Sequence, residues 1–329
     1  MNKTKILLCA ALFLNMPIAN AIENAKDAVG DIRAVPIIVQ HPFGNSLMKG
    51  CTGFLYSERI VLTAGHCISE RDTKSLYPKI YIGPPGMTYS KENLKLLEIE
   101  KTILPAGWAH KGPNDFTDIE DFGILILKEP IKINGKATVA NQEQIDLYIK
   151  NKTLVSTVGY GRQSSSHGQN DLTVPQYAEF PLVSLDVVKA TLNSTQYYGM
   201  KIHTVQVPGG PSTCSGDSGS AIYVKNNQDY IYIGPLAWGV GGMPNCSGNG
   251  WKSNVMYVGS VAAYDYLYLI KEAEEYVTKQ NITITPTPIT SPSTKKPIIK
   301  ITIKCYKGKE IKKIYGINPK CPKGYKVKV

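Results

Sequence analysis

Short apolar runs, separated by turn-forming residues, extend along the chain from about residue 34 to residue 260. Glycine, proline, asparagine or serine stands between one run and the next. This pattern predicts antiparallel strands, because a helix needs apolar residues at every third or fourth position over a longer stretch. We therefore expect an all-β fold. The clearest runs are residues 35–39, 60–62, 80–82, 122–127, 154–158 and 230–233.

The pattern changes after residue 260. Apolar residues recur at near-helical spacing over 261–279, which predicts one amphipathic helix at the end of the main domain. Threonine and proline dominate the next stretch, which predicts a semi-rigid linker. Isoleucines then alternate with polar residues, as in a hairpin that Cys305 and Cys321 could join. The predicted boundaries are 22–280 for the main domain, 281–298 for the linker and 299–329 for a small basic β module.

The first residues carry the features of a secretory signal peptide. Lys3 and Lys5 form a basic start, a short apolar run follows, and residues 19–21 fit the small-x-small cleavage rule. We assign residues 1–21 to this segment and expect the protein to be secreted. Six cysteines lie beyond it, and an even number in an exported chain favours three disulfides. None of them forms a Cys-x-x-Cys pair, so we expect no structural zinc site. We also expect no cofactor.

The formal net charge of +11 is concentrated at the C-terminus. Residues 291–329 contain twelve lysines and one acid, Glu310, whereas the main domain is close to neutral. This distribution argues against nucleic acid as a partner of the main domain. The basic end has two interpretations: a solvated lysine-rich tail, or a module that holds the protein on an anionic cell surface or wall polymer. Export favours such a surface over nucleic acid.

Three segments carry groups suited to nucleophilic catalysis. They are Leu62-Thr-Ala-Gly-His-Cys67, Asp121-Phe-Gly-Ile-Leu and Cys214-Ser-Gly-Asp-Ser-Gly219. A serine hydroxyl needs a base, imidazole is a suitable base near neutral pH, and a buried carboxylate can fix the tautomer of that imidazole. Ser218, His66 and Asp121 supply these groups. Gly216 lacks a Cβ, so its N–H and that of Ser218 could form an oxyanion hole.

Each segment also has a simpler interpretation. The histidine could merely end a strand, and Gly-Asp-Ser-Gly could be an ordinary turn. Asp121 could cap a strand, and it competes for the catalytic role with Asp115, Asp118 and Glu120. The order of the three segments, with a cysteine beside the histidine and another close before the serine, favours the catalytic interpretation.

The chain resembles the chymotrypsin and trypsin family of secreted serine proteases over about residues 22–280. The resemblance rests on Thr63-Ala-Gly-His-Cys67 and Gly216-Asp-Ser-Gly219, with support from Gly159-Tyr-Gly161 and Trp238-Gly239. It implies two antiparallel β-barrels with an active site in the cleft between them. It also implies the disulfides Cys51–Cys67 and Cys214–Cys246, while the remaining pair, Cys305–Cys321, lies outside the resemblance.

In this family the aspartate before the nucleophile pairs with an N-terminal ammonium that cleavage releases. Asp217 holds that position, and removal of residues 1–21 would expose Ile22 as a new N-terminus. The resemblance therefore implies an activating ion pair between Ile22 and Asp217, created by signal peptidase itself. The alternative is that Ile22 is only a disordered end.

The resemblance also implies a substrate pocket formed by Ser212, Trp238 and Gly239. The neutral Ser212 cannot offset a buried lysine or arginine charge, which disfavours cleavage after basic residues. Gly239 leaves room for a large side chain, so we expect cleavage after large apolar or aromatic residues. Two sites depart from the family pattern: Ala237 replaces a serine before Trp238, and Ser220-Ala replaces Gly-Pro after the nucleophile motif.

The function that these features predict is that of a secreted serine endopeptidase, which hydrolyses peptide bonds of protein or peptide substrates through an acyl-enzyme. One alternative is a surface-binding protein on a catalytically idle protease scaffold. Another is an exported esterase that uses the same triad. The presence of all three catalytic groups favours the endopeptidase over the idle scaffold.

Overall fold

The structure, a computed structural model, describes two compact units that divide between Val277 and Thr278. The predicted signal peptide and Cys246 lie outside the described part of the chain. The described residues are 22, 25–28, 32–40, 46–69, 76–92, 94–108, 120–162, 173–192, 200–241, 255–284, 301–307, 310–316 and 320–327.

The first unit contains a closed six-stranded barrel. It follows a short strand β1 (Lys26–Asp27). The barrel strands are β2 (Ala34–Gln40), β3 (Leu47–Leu55), β4 (Ile60–Thr63), β5 (Ile80–Ile82), β6 (Leu97–Ile103) and β7 (Gly123–Leu127). They pair antiparallel in the order β2-β3-β4-β7-β6-β5, and β5 returns to β2. All residues of β4 and β7 are buried, because both faces of these strands are covered by other parts of the unit.

A second, nine-stranded sheet completes this unit. Its order is β14-β15-β11-β10-β9-β12-β13-β8, with β1 joined to β10. The elements after the barrel are β8 (Ala137–Val139), α1 (Gln142–Lys150), β9 (Leu154–Gly159), β10 (Gln176–Val183), α2 (Leu185–Leu192), β11 (Ile202–Gln206), β12 (Ala221–Asn226), β13 (Asp229–Pro235), β14 (Trp238–Gly241) and β15 (Met256–Ser260).

Strand β2 separates two cores, because alternate residues of a strand point to opposite faces. Val35 and Ile37 pack inside the barrel. Ile38 packs outside the barrel with Val158 and Tyr160 of the second sheet region. The barrel and the second sheet are therefore joined by a buried apolar interface.

A C-terminal helix, α3 (Leu267–Ile284), follows a short 3-10 turn (Ala263–Tyr266). Ile270 and Ala273 of α3 share a core with Phe54 of the barrel. Lys101 on β6 also pairs with Glu272 at 2.9 Å. The predicted all-β fold with a C-terminal helix is confirmed, although the helix begins later than residue 261 and continues beyond residue 279.

Two further helices, α1 and α2, were not expected from the sequence. Helix α1 begins with a capping box: the side chain of Asn141 accepts from the Gln144 backbone N–H at 2.8 Å, and the side chain of Gln144 accepts from the Asn141 N–H at 3.0 Å. This Asn-x-x-Gln spacing is a readable helix-start signal that our strand-based interpretation passed over. No helix in the described part of the chain is long and apolar enough to cross a membrane.

The second unit contains a small three-stranded sheet. Its strands are β16 (Ile301–Lys307), β17 (Glu310–Gly316) and β18 (Lys326–Val327), in the order β17-β16-β18. The disulfide Cys305–Cys321 links β16 to the segment before β18. Lys312 lies over the ring of Tyr325, 4.8 Å from its centroid. A sheet this small buries little apolar surface, so the disulfide is an important part of its stability.

Candidate active site

His66 lies on a short 3-10 turn (Gly65–Cys67) directly after strand β4. The turn packs tightly at Gly65, where a Cβ would lie 3.0 Å from the ring of Trp108 and 3.3 Å from the carbonyl oxygen of Phe122. The disulfide Cys51–Cys67 ties the turn to β3, with the two Cα atoms 5.7 Å apart. Tight packing and the disulfide together fix the backbone that positions the imidazole.

Asp121 lies two residues before the start of β7, which pairs with β4 so that Gly123 is opposite Thr63. This register brings the carboxylate of Asp121 to the His66 turn. The carboxylate is fully buried; its Oδ1 accepts from the His66 backbone N–H at 2.9 Å, and its Oδ2 lies 2.8 Å from His66 Nδ1. A proton held on Nδ1 leaves Nε2 as the basic nitrogen. The competing acids Asp115 and Asp118 lie outside the described residues.

Ser218 lies in the tight turn between Cys214 and Gly219, which we call the nucleophile loop. Gly216 and Gly219 have φ angles of +97° and +80°, which favour glycine. A Cβ on Gly219 would lie 2.1 Å from Thr63 Oγ1. The loop therefore lies against the end of β4, the strand that leads to His66.

Thr52 of β3 holds the nucleophile loop in place. Its Oγ1 donates to the Gly216 carbonyl at 3.0 Å and accepts from the Tyr160 N–H at 3.0 Å, while its own N–H donates to the Ser218 carbonyl at 2.8 Å. Sequence reasoning missed this residue, because a threonine inside a strand carries no motif. The one available signal was its position next to Cys51, a cysteine of the resemblance.

The backbone N–H groups of Gly216 and Ser218 donate to no protein acceptor within the described residues. Their neighbours in the loop are engaged: Asp217 donates to the Cys214 carbonyl at 3.0 Å, and Gly219 donates to the Leu236 carbonyl at 2.7 Å. Two unengaged donors on one fixed loop are what a developing oxyanion requires.

Asp217 is buried within the loop, and its carboxylate is held by backbone groups. Oδ1 accepts from the Gly161 N–H at 2.7 Å, and Oδ2 accepts from the Cys214 N–H at 2.8 Å. Burial raises the pKa of Asp217 to about 7, while the two hydrogen bonds and the charge of Lys49 act in the opposite direction. Its predicted partner Ile22 is fully buried and packs against Ala178 and Phe180.

The three residues expected to form the substrate pocket differ in their surroundings. Ser212 is buried, and its hydroxyl has no hydrogen-bond partner among the described residues. The Trp238 ring lies beside the His66 imidazole, with the ring centroids 5.6 Å apart. Gly239 is exposed on β14, and a Cβ there would lie 3.3 Å from the sulfur of Met256.

A sequence model of the family described as Trypsin matches residues 28–258 of this chain. The chain belongs to the trypsin family. Chymotrypsin-like elastase family member 1 of Bos taurus is 25% identical over 202 residues, which cover 60% of this chain and 71% of the relative. Trypsin of Phaedon cochleariae is 28% identical over 214 residues, which cover 61% and 75%. Trypsin delta of Drosophila erecta is 24% identical over 197 residues, which cover 58% and 69%.

The two departures from the trypsin-family pattern leave the local backbone hydrogen-bonded. Ala237 contributes no hydroxyl, but its N–H donates to the Gly259 carbonyl at 3.1 Å. Ser220 is fully buried, and its N–H donates to the Asp217 carbonyl at 3.0 Å. Neither change removes a candidate catalytic group.

The cysteines near the trypsin-family site are engaged in disulfides. Cys51, His66 and Cys67 bring metal-type ligand atoms within 4.8 Å of one another, but both sulfurs belong to the Cys51–Cys67 disulfide and cannot act as thiolate ligands. Cys214 is also disulfide-bonded. Its predicted partner, Cys246, lies outside the described residues.

Proposed function

We propose that this trypsin-family protein is an active, secreted serine endopeptidase. The hydroxyl of Ser218 attacks the carbonyl carbon of the scissile peptide bond, and His66 Nε2 takes the hydroxyl proton. The N–H groups of Gly216 and Ser218 stabilise the oxyanion. His66 then gives its proton to the leaving amine, an acyl-enzyme remains on Ser218, and water hydrolyses it by the same route.

The observation that carries this proposal is the two-point contact between Asp121 and His66. A merely structural aspartate needs no histidine ring beside it, whereas a catalytic base needs its ring held in one orientation and one tautomer. Here the buried carboxylate binds both the backbone N–H and Nδ1 of His66. The imidazole is thus prepared as a base, which argues against the idle scaffold.

Fluorophosphonate labelling of the secreted mature protein tests the proposal. We expect rapid labelling of the wild type and none of Ser218→Ala, because only an activated serine reacts with this reagent. Ser215→Ala serves as a matched control, since Ser215 is an exposed neighbour on the same loop. A folded wild-type protein that is not labelled would contradict the proposal and favour the surface-binding alternative. A peptide assay then separates the endopeptidase from an esterase.

We propose cleavage after large apolar or aromatic residues. The pocket residues Ser212, Trp238 and Gly239 bring no charge, and the buried Ser212 hydroxyl cannot neutralise a lysine or arginine side chain. A panel of peptides that differ only at the residue before the cleaved bond tests this. Faster hydrolysis after lysine or glutamate than after phenylalanine or leucine would overturn it.

We propose that removal of residues 1–21 creates the activating terminus at Ile22. Ile22 already packs in an apolar site on the main domain, and the buried carboxylate of Asp217 gains from a cationic partner. The intact mass of the active protein should correspond to a start at Ile22. Extension by one alanine should lower kcat; an unchanged kcat would contradict this assignment.

We propose that the basic module, residues 299–329, binds an anionic surface or wall polymer. Lysines outnumber acids by ten to one in residues 299–329. Each lysine near an anionic surface contributes about 1 kcal/mol of binding free energy. Co-sedimentation of the full mature chain with phosphatidylglycerol vesicles, against phosphatidylcholine vesicles, tests this. Binding that falls sharply with added salt supports the proposal, and binding that ignores salt contradicts it.

A further inference from the structure

A β-bulge in strand β3 changes the face of the strand on which the side chain of Lys49 lies. Cys51 pairs with Ile37, but Lys49 pairs with the next residue, Ile38, so Gly50 is the extra residue. Without this bulge Lys49 and Cys51, two positions apart, would share the face that points into the barrel. The bulge instead places Lys49 opposite Ile38, whose side chain packs outside the barrel.

Lys49 is buried in the interface between the barrel and the second sheet. Only 1% of the residue is exposed. Its Nζ donates to Thr173 Oγ1 at 2.7 Å and lies 5.1 Å from the ring centroid of Tyr89. Tyr89 belongs to the same core as Ile38 and Tyr160. An ammonium group in such a place is costly unless an anion lies within electrostatic reach.

Asp217 carries a buried carboxylate near this interface. Tyr160 packs in the same core as Tyr89, over whose ring Lys49 lies, and the N–H of the next residue, Gly161, donates to Asp217 Oδ1. Thr52, on the same strand as Lys49, binds the Tyr160 N–H and the Gly216 carbonyl. The charge of Lys49 lowers the pKa of the Asp217 carboxyl, against the larger effect of burial.

We propose that Lys49 is a positioning residue, an internal counter-ion that keeps Asp217 charged and thereby holds the nucleophile loop in place. This inference rests on the proposed function. Lys49 acts through Asp217, whose carboxylate binds the N–H of Cys214 at the start of the loop and the N–H of Gly161 in the segment after β9. A chain whose Ile22 amino group is blocked by an extra residue therefore keeps part of its catalytic activity, because Lys49 still holds the nucleophile loop in place.

The first test compares Lys49→Met with Lys201→Met in the mature full chain. Lys201 is a matched control, because its side chain forms an exposed ion pair with Asp265. We expect Lys49→Met to lower kcat about 10- to 100-fold, the range of coupling between interacting residues, with KM within about threefold. Tm should fall, because the buried carboxylate of Asp217 loses its counter-charge. We therefore measure kcat at a temperature well below the Tm of both variants, where a kcat of Lys49→Met equal to that of the control would overturn the proposal.

The second test is a double-mutant cycle with Asp217→Asn, read as the rate of fluorophosphonate labelling. If Lys49 acts through the charge of Asp217, Lys49→Met should change the rate less than about twofold in the Asp217→Asn background. The same fold-loss in both backgrounds would overturn the proposal. Failure of the wild type to label would instead refute the proposed protease function, so the two failures are distinguishable.

The third test combines Lys49→Met with a one-residue alanine extension before Ile22. We expect the extended chain with Lys49 to label measurably faster than Ser218→Ala, and the extended Lys49→Met chain to lose most of that remaining rate. Equal rates in the two extended chains would show that Lys49 does not substitute for the free terminus and would overturn the inference.

Discussion

The backbone N–H and the ring Nδ1 of His66 contact different oxygens of one carboxylate, that of Asp121, at 2.9 and 2.8 Å. An amide in place of this carboxylate has only one acceptor oxygen, so it cannot serve both donors. Its NH₂ group would face Nδ1 or the backbone N–H as a second donor. The geometry of this pair therefore depends on the charge and on both oxygens of Asp121.

Asp121→Asn should lower kcat by about 10⁴-fold, because it favours the wrong tautomer of His66 while leaving the protein folded. Steady-state kinetics and thermal unfolding on the same preparation check this. Glu120→Gln is the matched control, an adjacent acid that should keep wild-type kcat. A loss of less than tenfold in Asp121→Asn would contradict the role of Asp121.

Thr52→Val should weaken both the fold and catalysis. The substitution keeps the shape but leaves the Tyr160 N–H and the Gly216 carbonyl without their buried partner, at a cost of about 1–3 kcal/mol. We expect kcat to fall because the nucleophile loop loses a support. Thr52→Ser, which keeps the hydroxyl, should recover most of both quantities in urea unfolding and kinetics. Equal behaviour of the two variants would show that the hydroxyl has no such role.

Gly219→Ala should destabilise the protein much more than Gly209→Ala. Both glycines have a φ angle of +80°, so both substitutions carry the same backbone strain of about 1 kcal/mol. A Cβ at Gly209 meets nothing within 4 Å, whereas one at Gly219 would lie 2.1 Å from Thr63 Oγ1 and 2.3 Å from the Thr52 carbonyl. Overpacking should add about 1–3 kcal/mol at Gly219. Equal free energies of unfolding would contradict the close approach seen there.

Ser212→Asp should shift cleavage toward lysine and arginine and slow cleavage after apolar residues. The new carboxylate would lie at a buried position whose present hydroxyl has no partner among the described residues. A basic substrate side chain would then supply its counter-charge. Ratios of kcat/KM over the peptide panel measure the shift, with Ser212→Ala as the control that should keep the apolar preference. An unchanged panel for Ser212→Asp would show that residue 212 does not face the bound side chain.

His203 makes stability depend on pH below neutrality. It is fully buried, neither ring nitrogen has a partner in the described part of the chain, and burial lowers its pKa to about 4 from 6.5. Between pH 6.5 and 4 the imidazole of His203 is protonated in the unfolded chain but neutral in the folded chain. The free energy of unfolding therefore falls as pH decreases from about 6.5 to 4, by about 3 kcal/mol in all. Urea unfolding of His203→Leu should show a correspondingly flatter decline over this window. Parallel curves for the two proteins would contradict the assignment.

The all-β class was readable from the sequence because each strand is short, apolar and bounded by turn residues. Two residues of the candidate triad, His66 and Ser218, could be predicted for a different reason, because each lies in a short motif that contains glycine. The glycines are needed because the backbone packs closely there, as the contacts of Gly65 and Gly219 show. Asp121 was harder to select among four nearby acids, since only the strand register brings one of them to His66.

The roles of Thr52 and Lys49 could not be predicted in the same way. The role of Thr52 comes from three hydrogen bonds to segments distant in sequence, and no local pattern encodes them. The placement of Lys49 depends on a bulge, and a one-residue change of register sends a side chain to the opposite face. From the sequence alone, a lysine in an apolar strand would be placed at an exposed edge of the sheet. Only the bulge explains why Lys49 is buried.

The candidate nucleophile and its candidate base lie in different halves of the main domain: His66 follows a strand of the closed barrel, and Ser218 precedes β12 of the second sheet. Neither half contains a complete triad. The candidate triad is therefore complete only after the second half has docked on the first. Docking of the two halves, and not the folding of either one, brings Ser218 to His66.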